Sequence, residues 1–285
     1  MSDQDKKQDG AVVQAMFNYV DPLHVPQSGL AFTFDHDWSG IPFITREMRI
    51  EDASARRTPA SLTVEGFQKV SLDGLDLRDL DPADFEPRWG AAVCERIREA
   101  TGADSVVRWA FSARFSERKT DARRSDVSNP ARRVHGDFSP TEFGPVIRHR
   151  LCAEAIEAVA RGRSLKRWIG INAWQPFSPP PYDIPLAVCD ARSVTPDDLV
   201  IGRGSTPSNP DLAIDLPLFS YSPTHRWFYY SAYAPDEVLL FTGLDSAHPD
   251  DWRLVPHSAF DNPACPDDAA PRCSVEMRTM ALFFE

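Results

Sequence analysis

Twenty-five prolines punctuate this 285-residue chain, against only 14 glycines. Each proline fixes φ and removes an amide donor, so a bundle of long helices is closed to the sequence. Seven tryptophans and 17 phenylalanines favour strands. The reading is therefore a mainly β protein with flanking helices.

The order of signals refines that reading. Residues 1–12 form a polar, charged segment expected to be a disordered tail. Short apolar runs, Leu30–Phe34 and Leu62–Val64, suggest strands separated by turns. A helical spacing of apolar residues starts at Trp89 and stops at Gly102, and Val106–Phe115 reads as a strand. A basic loop follows from Ser116 to Arg133. Ser139-Pro140-Thr141-Glu142 has the form of a capping box, predicting a helix over 140–162. Further strands are expected at 167–174, 186–189, 216–221, 226–232, 237–243, 252–256 and 273–284. Strands at short, irregular spacing point to a sandwich or jelly-roll rather than a parallel sheet.

Net charge is -11, which repels phosphate backbones and anionic headgroups, so no nucleic-acid partner is expected. The chain has no run of about 18 apolar residues and no leader-like start, so the expectation is a soluble, cytoplasmic protein with no membrane partner. Five cysteines without CxxC spacing indicate neither a disulfide framework nor a zinc knuckle.

The sharpest chemical feature is His135-x-Asp137 at the end of a strand-like stretch. Alternation puts side chains i and i+2 on one face, where imidazole and carboxylate can converge on one ion. One more histidine downstream completes a two-histidine, one-carboxylate set that suits ferrous iron and leaves positions open for cosubstrate and oxygen. His225, His248 and His257 are the candidates. His257 ranks first because it ends an apolar stretch shortly before the terminal strand. The bland alternative is a turn histidine beside a capping aspartate.

Counting by two along the terminal strand places Arg272, Ser274, Glu276 and Arg278 on one face, with Cys273, Val275 and Met277 on the other. A strand with one face in water explains this as well as a barrel interior does. In the interior reading, one arginine forks onto a 2-oxo acid carboxylate, the serine adds a hydrogen bond, and Glu276 pairs with the other arginine. Asn172 and Trp174 share a face of their strand and offer an amide and an indole. Phosphate loops, nucleophile elbows and HExxH are absent.

Taken in order, these motifs resemble a known family. They are Thr101-Gly102-Ala103, the strand ending near Arg114, Val134–Ser139, Asn172–Pro176, Pro185–Val194, His225–Tyr229, Pro256–Phe260 and Arg272–Arg278. The chain resembles, from about residue 50 to its end, the hydroxylase/desaturase family of iron(II)/2-oxoglutarate-dependent oxygenases, which includes aspergillic-acid hydroxylase, gibberellin desaturase and a cephalosporin 7α-methoxylation subunit. The resemblance implies a double-stranded β-helix (jelly-roll, cupin-like), read here as one domain over 13–285 with an N-terminal α/β extension. It implies Fe(II), 2-oxoglutarate and O2, and C–H abstraction that hydroxylates, desaturates or cyclises a small natural product. Carried over by position, His135, Asp137 and His257 are the iron ligands, and Arg278 or Arg272 holds 2-oxoglutarate, with Ser274 and Asn172 beside it. Trp174, Gln175, Phe138 and Arg114 are candidate substrate contacts. Two departures stand out: Gln175 replaces the arginine of an N-x-W-R-P pattern, and Phe138 replaces a polar residue. Two rivals on the same fold stay open, a metal-dependent isomerase or hydrolase and a non-catalytic partner subunit. A homodimer or a partner enzyme also stays open.

Overall fold

The computed structural model describes residues 12–33, 38, 40–116, 129–139, 153–206, 209–247 and 254–285. Thirteen strands appear among them: β1 (Val12–Val20), β2 (Leu30–Thr33), β3 (Phe43–Asp52), β4 (Phe67–Ser71), β5 (Ser105–Phe115), β6 (Leu165–Pro176), β7 (Leu186–Cys189), β8 (Leu199–Thr206), β9 (Asn209–Phe219), β10 (Trp227–Tyr229), β11 (Glu237–Asp245), β12 (His257–Ala259) and β13 (Cys273–Phe284). One sheet runs β1-β3-β10-β7-β12, a second β4-β11-β6-β13-β5, and a small third β2-β8-β9. The segment around His135 stitches the third sheet to the first. It exchanges backbone hydrogen bonds with His257, and the Gly136 amide donates to the Pro217 carbonyl at 2.8 Å. The result is a jelly-roll, two curled sheets facing one another.

Alternation along β6 and β13 decides what each face covers. Ile171 and Ala173, with Val275 and Met277, turn outward and bury Val93 and Ile97 of the helix Gly90–Thr101. That helix ends as its sequence predicts, with Gly102 at φ 71° in the left-handed region that glycine adopts without strain. The inner faces meet in a core drawn from both sheets, with Phe67, Leu239 and Phe241 opposite Leu186, Val188 and Phe228. At Arg278 the pairing of β13 with β5 slips by one residue, leaving Trp109 unmatched beside it.

Several expectations shift. Leu62–Val64 is a turn, and the strand is β4. The Glu65 carboxylate accepts the Ser61 amide and Gly66 sits at φ 86°, so the chain folds back before it can extend. The strand expected at 252–256 is instead β12, since residues 254–256 have no regular structure and 252–253 lie outside the described residues. Of the tail expected over 1–12, only Val12 is described, and it opens β1. Of the helix expected over 140–162, Ala153–Ala160 is helical. Its first part, most of the loop 116–133, Cys152 and His248 lie outside the described residues.

Candidate metal centre

His135 and His257 are backbone partners on adjoining segments, so their side chains emerge on the same side. Their ring centroids are 4.2 Å apart. Asp137, two residues beyond His135, brings its Oδ2 to 3.3 Å from His257 Nε2. One donor atom from each of the three residues lies within 4.8 Å of the others.

The tautomers follow from the neighbours. His135 Nδ1 lies 2.8 Å from the Arg133 carbonyl, and His257 Nδ1 lies 3.3 Å from the Val255 carbonyl. A carbonyl only accepts, so each Nδ1 donates to it and each Nε2 is left facing the centre. Burial, then the adjacent His257, pushes the His135 imidazole down to about 3, so it stays neutral. Burial works to raise the Asp137 carboxyl. Arg278 and the two imidazoles override it and hold the group well below the usual carboxylate range. Two imidazoles facing one ionised carboxylate are the donor types of a non-haem iron(II) site with open positions.

A cleft opens on this cluster, and the cluster shares its lining with Arg114, Trp174, Leu186, Arg272, Glu276 and Arg278. The two arginines left open by the sequence differ sharply here. Arg278 is committed, its Nη2 donating to Asp137 Oδ1 at 2.7 Å. Arg272 is 1% exposed, lies 5.4 Å over the Trp174 ring, and has no partner for Nε or Nη2. Burial lowers its guanidinium to about 10, so it remains a cation at neutral pH. Ser274, next on the same face, has a buried Oγ that is also unpartnered. A buried cation beside an unsatisfied hydroxyl is costly unless an anion completes it. The dicarboxylate 2-oxoglutarate fits that need.

The remaining predicted residues divide. Asn172 reaches the centre, its Nδ2 donating to Asp137 Oδ2 at 3.0 Å while its Oδ1 is unpartnered. Trp174 lines the cleft. Arg114 also lines it, with its guanidinium forked onto Glu276. Gln175 does not reach the cleft. Alternation turns it to the outer face of β6, where Oε1 accepts from Trp89 Nε1 at 2.6 Å and Nε2 donates to the Pro235 carbonyl at 2.7 Å. Phe138 is likewise a packing residue, 1% exposed in a cluster with Leu244, Met280 and Leu282. A Cβ on Gly243 would lie 2.0 Å from its ring and one on Gly170 2.6 Å, so these two glycines form the slot that anchors the residue after Asp137. Sequence reasoning missed this slot, whose signal was a glycine inside each of two strands. The cleft residues Leu186 and Ala259, register partners across β7 and β12, gave no chemical signal at all.

Jelly-roll fold and His-Asp-His centre together define a non-haem iron oxygenase class. A family profile described as an oxidoreductase/YMDC permease-like domain matches residues 17–282. The chain is 33% identical over 242 residues, 83% of each sequence, to the Fe(II)/2-oxoglutarate-dependent dioxygenase nvfI of Aspergillus novofumigatus. It is 30% identical over 266 residues, 85% of each, to the hydroxylase/desaturase efuI of Hormonema carpetanum. A solved structure of the iron and alpha-ketoglutarate-dependent endoperoxidase NvfI superposes with a TM-score of 0.77 at 26% identity, covering 97% of this chain and 100% of that one. This chain belongs to the family of Fe(II)/2-oxoglutarate-dependent dioxygenases, and its cofactors are Fe(II), 2-oxoglutarate and O2. Among the described residues no helix is long and apolar enough to cross a membrane.

Proposed function

We propose that the protein hydroxylates, desaturates or cyclises a small natural product, with His135, Asp137 and His257 holding iron(II) and Arg272 with Ser274 receiving the distal carboxylate of 2-oxoglutarate. The observation that carries this assignment is the unpartnered Arg272 guanidinium, buried on the same cleft as the three donors. In the proposal residues 13–285 act as one oxygenase domain. The iron, when bound, supplies oxygen activation coupled to decarboxylation of the cosubstrate.

The chain's own residues do the rest. The two Nδ1–carbonyl bonds orient the imidazoles so that no rotamer search precedes metal binding. Trp174 covers one face of the Arg272 guanidinium, excluding water from the cation and strengthening its grip on an anion. Leu186 and Ala259 provide an apolar wall against which a hydrocarbon portion of a substrate can lie. Relatives carry names as different as hydroxylase/desaturase and endoperoxidase, and this proposal confines the present chain to reactions that begin by removing hydrogen from carbon.

Anaerobic titration of the apo-protein with Fe(II) and then 2-oxoglutarate tests the reading. A weak visible charge-transfer band is expected in the wild type and absent in His135→Ala and His257→Ala. A folded wild-type protein that saturates with iron yet gives no band and consumes no 2-oxoglutarate overturns it in favour of a partner subunit or another metal chemistry.

A further inference from the structure

Arg114 and Arg278 are the cleft cations that the proposed function leaves without a task, and Arg278 is the one that reaches Asp137. It lies on the inner face of β13, which Ser274 shares and which Arg272 just precedes, and its register partner on β6 is Asn172. Its Nη2 donates to Asp137 Oδ1 at 2.7 Å and lies 3.8 Å from Glu276 Oε1. Glu276 is in turn gripped by Arg114, Nε to Oε2 at 2.7 Å and Nη2 to Oε1 at 2.6 Å, and Arg114 Nη1 donates to the Asn129 carbonyl at 3.0 Å. Charges alternate along this chain, Arg114, Glu276, Arg278, Asp137, and cancel. The surplus cation of the cleft is Arg272.

The chain ends unequally on the two oxygens of Asp137. Oδ1 accepts from a guanidinium. Oδ2 accepts from the neutral Asn172 amide at 3.0 Å and is the oxygen 3.3 Å from His257 Nε2. A charge-assisted bond draws lone-pair density from the oxygen that accepts it, leaving the other as the better metal donor. A carboxylate with both oxygens free can grip a cation with two, and on a three-residue centre the second contact would consume a position needed by the cosubstrate.

Resting on the iron-ligand reading above, we propose that Arg278, braced by Glu276 and Arg114, is a positioning residue that occupies Asp137 Oδ1 and so holds the carboxylate to one-oxygen ligation through Oδ2, keeping a coordination position free for 2-oxoglutarate. The arginine contacts neither metal nor cosubstrate in this role. It acts through the carboxylate alone.

Cobalt(II) in place of iron is the probe, because its d–d absorption reports coordination without cosubstrate or turnover. Arg278→Met is expected to change the cobalt spectrum with no 2-oxoglutarate present, and to weaken 2-oxoglutarate binding to the cobalt-loaded protein by about tenfold or more. Arg278→Lys should restore the wild-type spectrum, since an ammonium still donates to Oδ1. Glu276→Gln should shift the spectrum in the same direction by less. An unchanged cobalt spectrum in Arg278→Met overturns the proposal, and if 2-oxoglutarate affinity nevertheless falls, Arg278 is a direct cosubstrate contact. Should Arg278→Met fail to fold, Glu276→Gln carries the test, and an unchanged spectrum there overturns the proposal equally. A wild-type protein that binds no cobalt defeats the iron-ligand reading instead, a result distinct from all of these.

Discussion

Among the described residues two buried histidine–aspartate neighbourhoods stand out, one opening on a cleft and one not. Around His225, Nδ1 lies 3.3 Å from the Tyr19 hydroxyl, Nε2 lies 3.4 Å from Asp198 Oδ2, and the ring stacks on Tyr19 at 5.7 Å. The Tyr19 hydroxyl also accepts from Trp227 Nε1 at 2.8 Å. His225 Nδ1 has a hydroxyl partner while Nε2 is buried without a hydrogen bond, and among the described residues no second histidine joins the cluster, so it offers one imidazole and one carboxylate rather than three converging donors. Around His135 and His257, backbone carbonyls take both Nδ1 protons and leave both Nε2 atoms facing a carboxylate. The difference teaches that residue types do not make a metal centre. What matters is whether the outer nitrogens are satisfied by groups that leave the inner ones free.

The largest expected effect breaks the comparison outright. His135→Ala or His257→Ala should lower metal affinity by at least about 100-fold. His225→Ala should leave metal affinity unchanged and cost about 2 kcal/mol of stability through a buried cavity and lost polar contacts. Calorimetric metal titration and denaturant unfolding of the three variants read both quantities, and metal loss in His225→Ala would erase the distinction.

Next in size is Arg272→Met. Cosubstrate affinity of the metal-loaded protein should fall by about 100-fold, because a buried charged hydrogen-bonding partner is removed from the ligand. The apo-protein should become more stable, because an unpaired buried cation is replaced by an apolar side chain of similar length. A melting temperature that drops instead would mean the guanidinium has a structural partner.

The pH dependence separates the neighbourhoods more finely. Burial depresses both the His135 and the His225 imidazole, the first to about 3. The unfolded chain therefore takes up protons near pH 6.5 that the folded chain refuses, so their stabilisation is present above that pH and is lost as pH falls from about 6.5 toward 3. Unfolding of the apo-protein between pH 7 and 5 should show a slope of at most about 1.4 kcal/mol per pH unit for each histidine. His225→Gln should flatten it without touching the metal centre. Asp137, held low by Arg278, adds its own loss only below its ordinary carboxylate range. The smallest effect belongs to Gln175→Ala, which should lower stability by about 1–3 kcal/mol, from the lost bonds to Trp89 and the Pro235 carbonyl, and leave 2-oxoglutarate affinity within about twofold. A larger change in affinity would return Gln175 to the cleft.

Much of this centre is legible in the sequence because its logic is local. Strand alternation alone pairs His135 with Asp137, gathers Arg272, Ser274, Glu276 and Arg278 on one face, and puts Asn172 with Trp174. The same rule puts Gln175 opposite them, and its assignment to the substrate came from a motif position rather than from alternation. Phe138 was misplaced for a different reason. Its slot is made by Gly170 and Gly243, residues 32 and 105 positions away in the numbering, whose lack of side chains means nothing until the strands are brought together.

What the sequence by itself determined is the His135–Asp137 pair and which side chains share a face: a two-residue period is enough to decide which side chains look the same way. What only the tertiary structure decided is who meets whom. Arg272 and Arg278 are the same residue type lining the same cleft, one just before β13 and one within it. One becomes a counter-ion to Asp137 while the other is left buried without an anion, because Coulomb attraction and hydrogen bonding depend on distances of a few ångströms between segments over a hundred residues apart. The pairing of His135 with His257 rather than His225 follows from the same cause, a backbone bridge between two distant strands that no local period encodes.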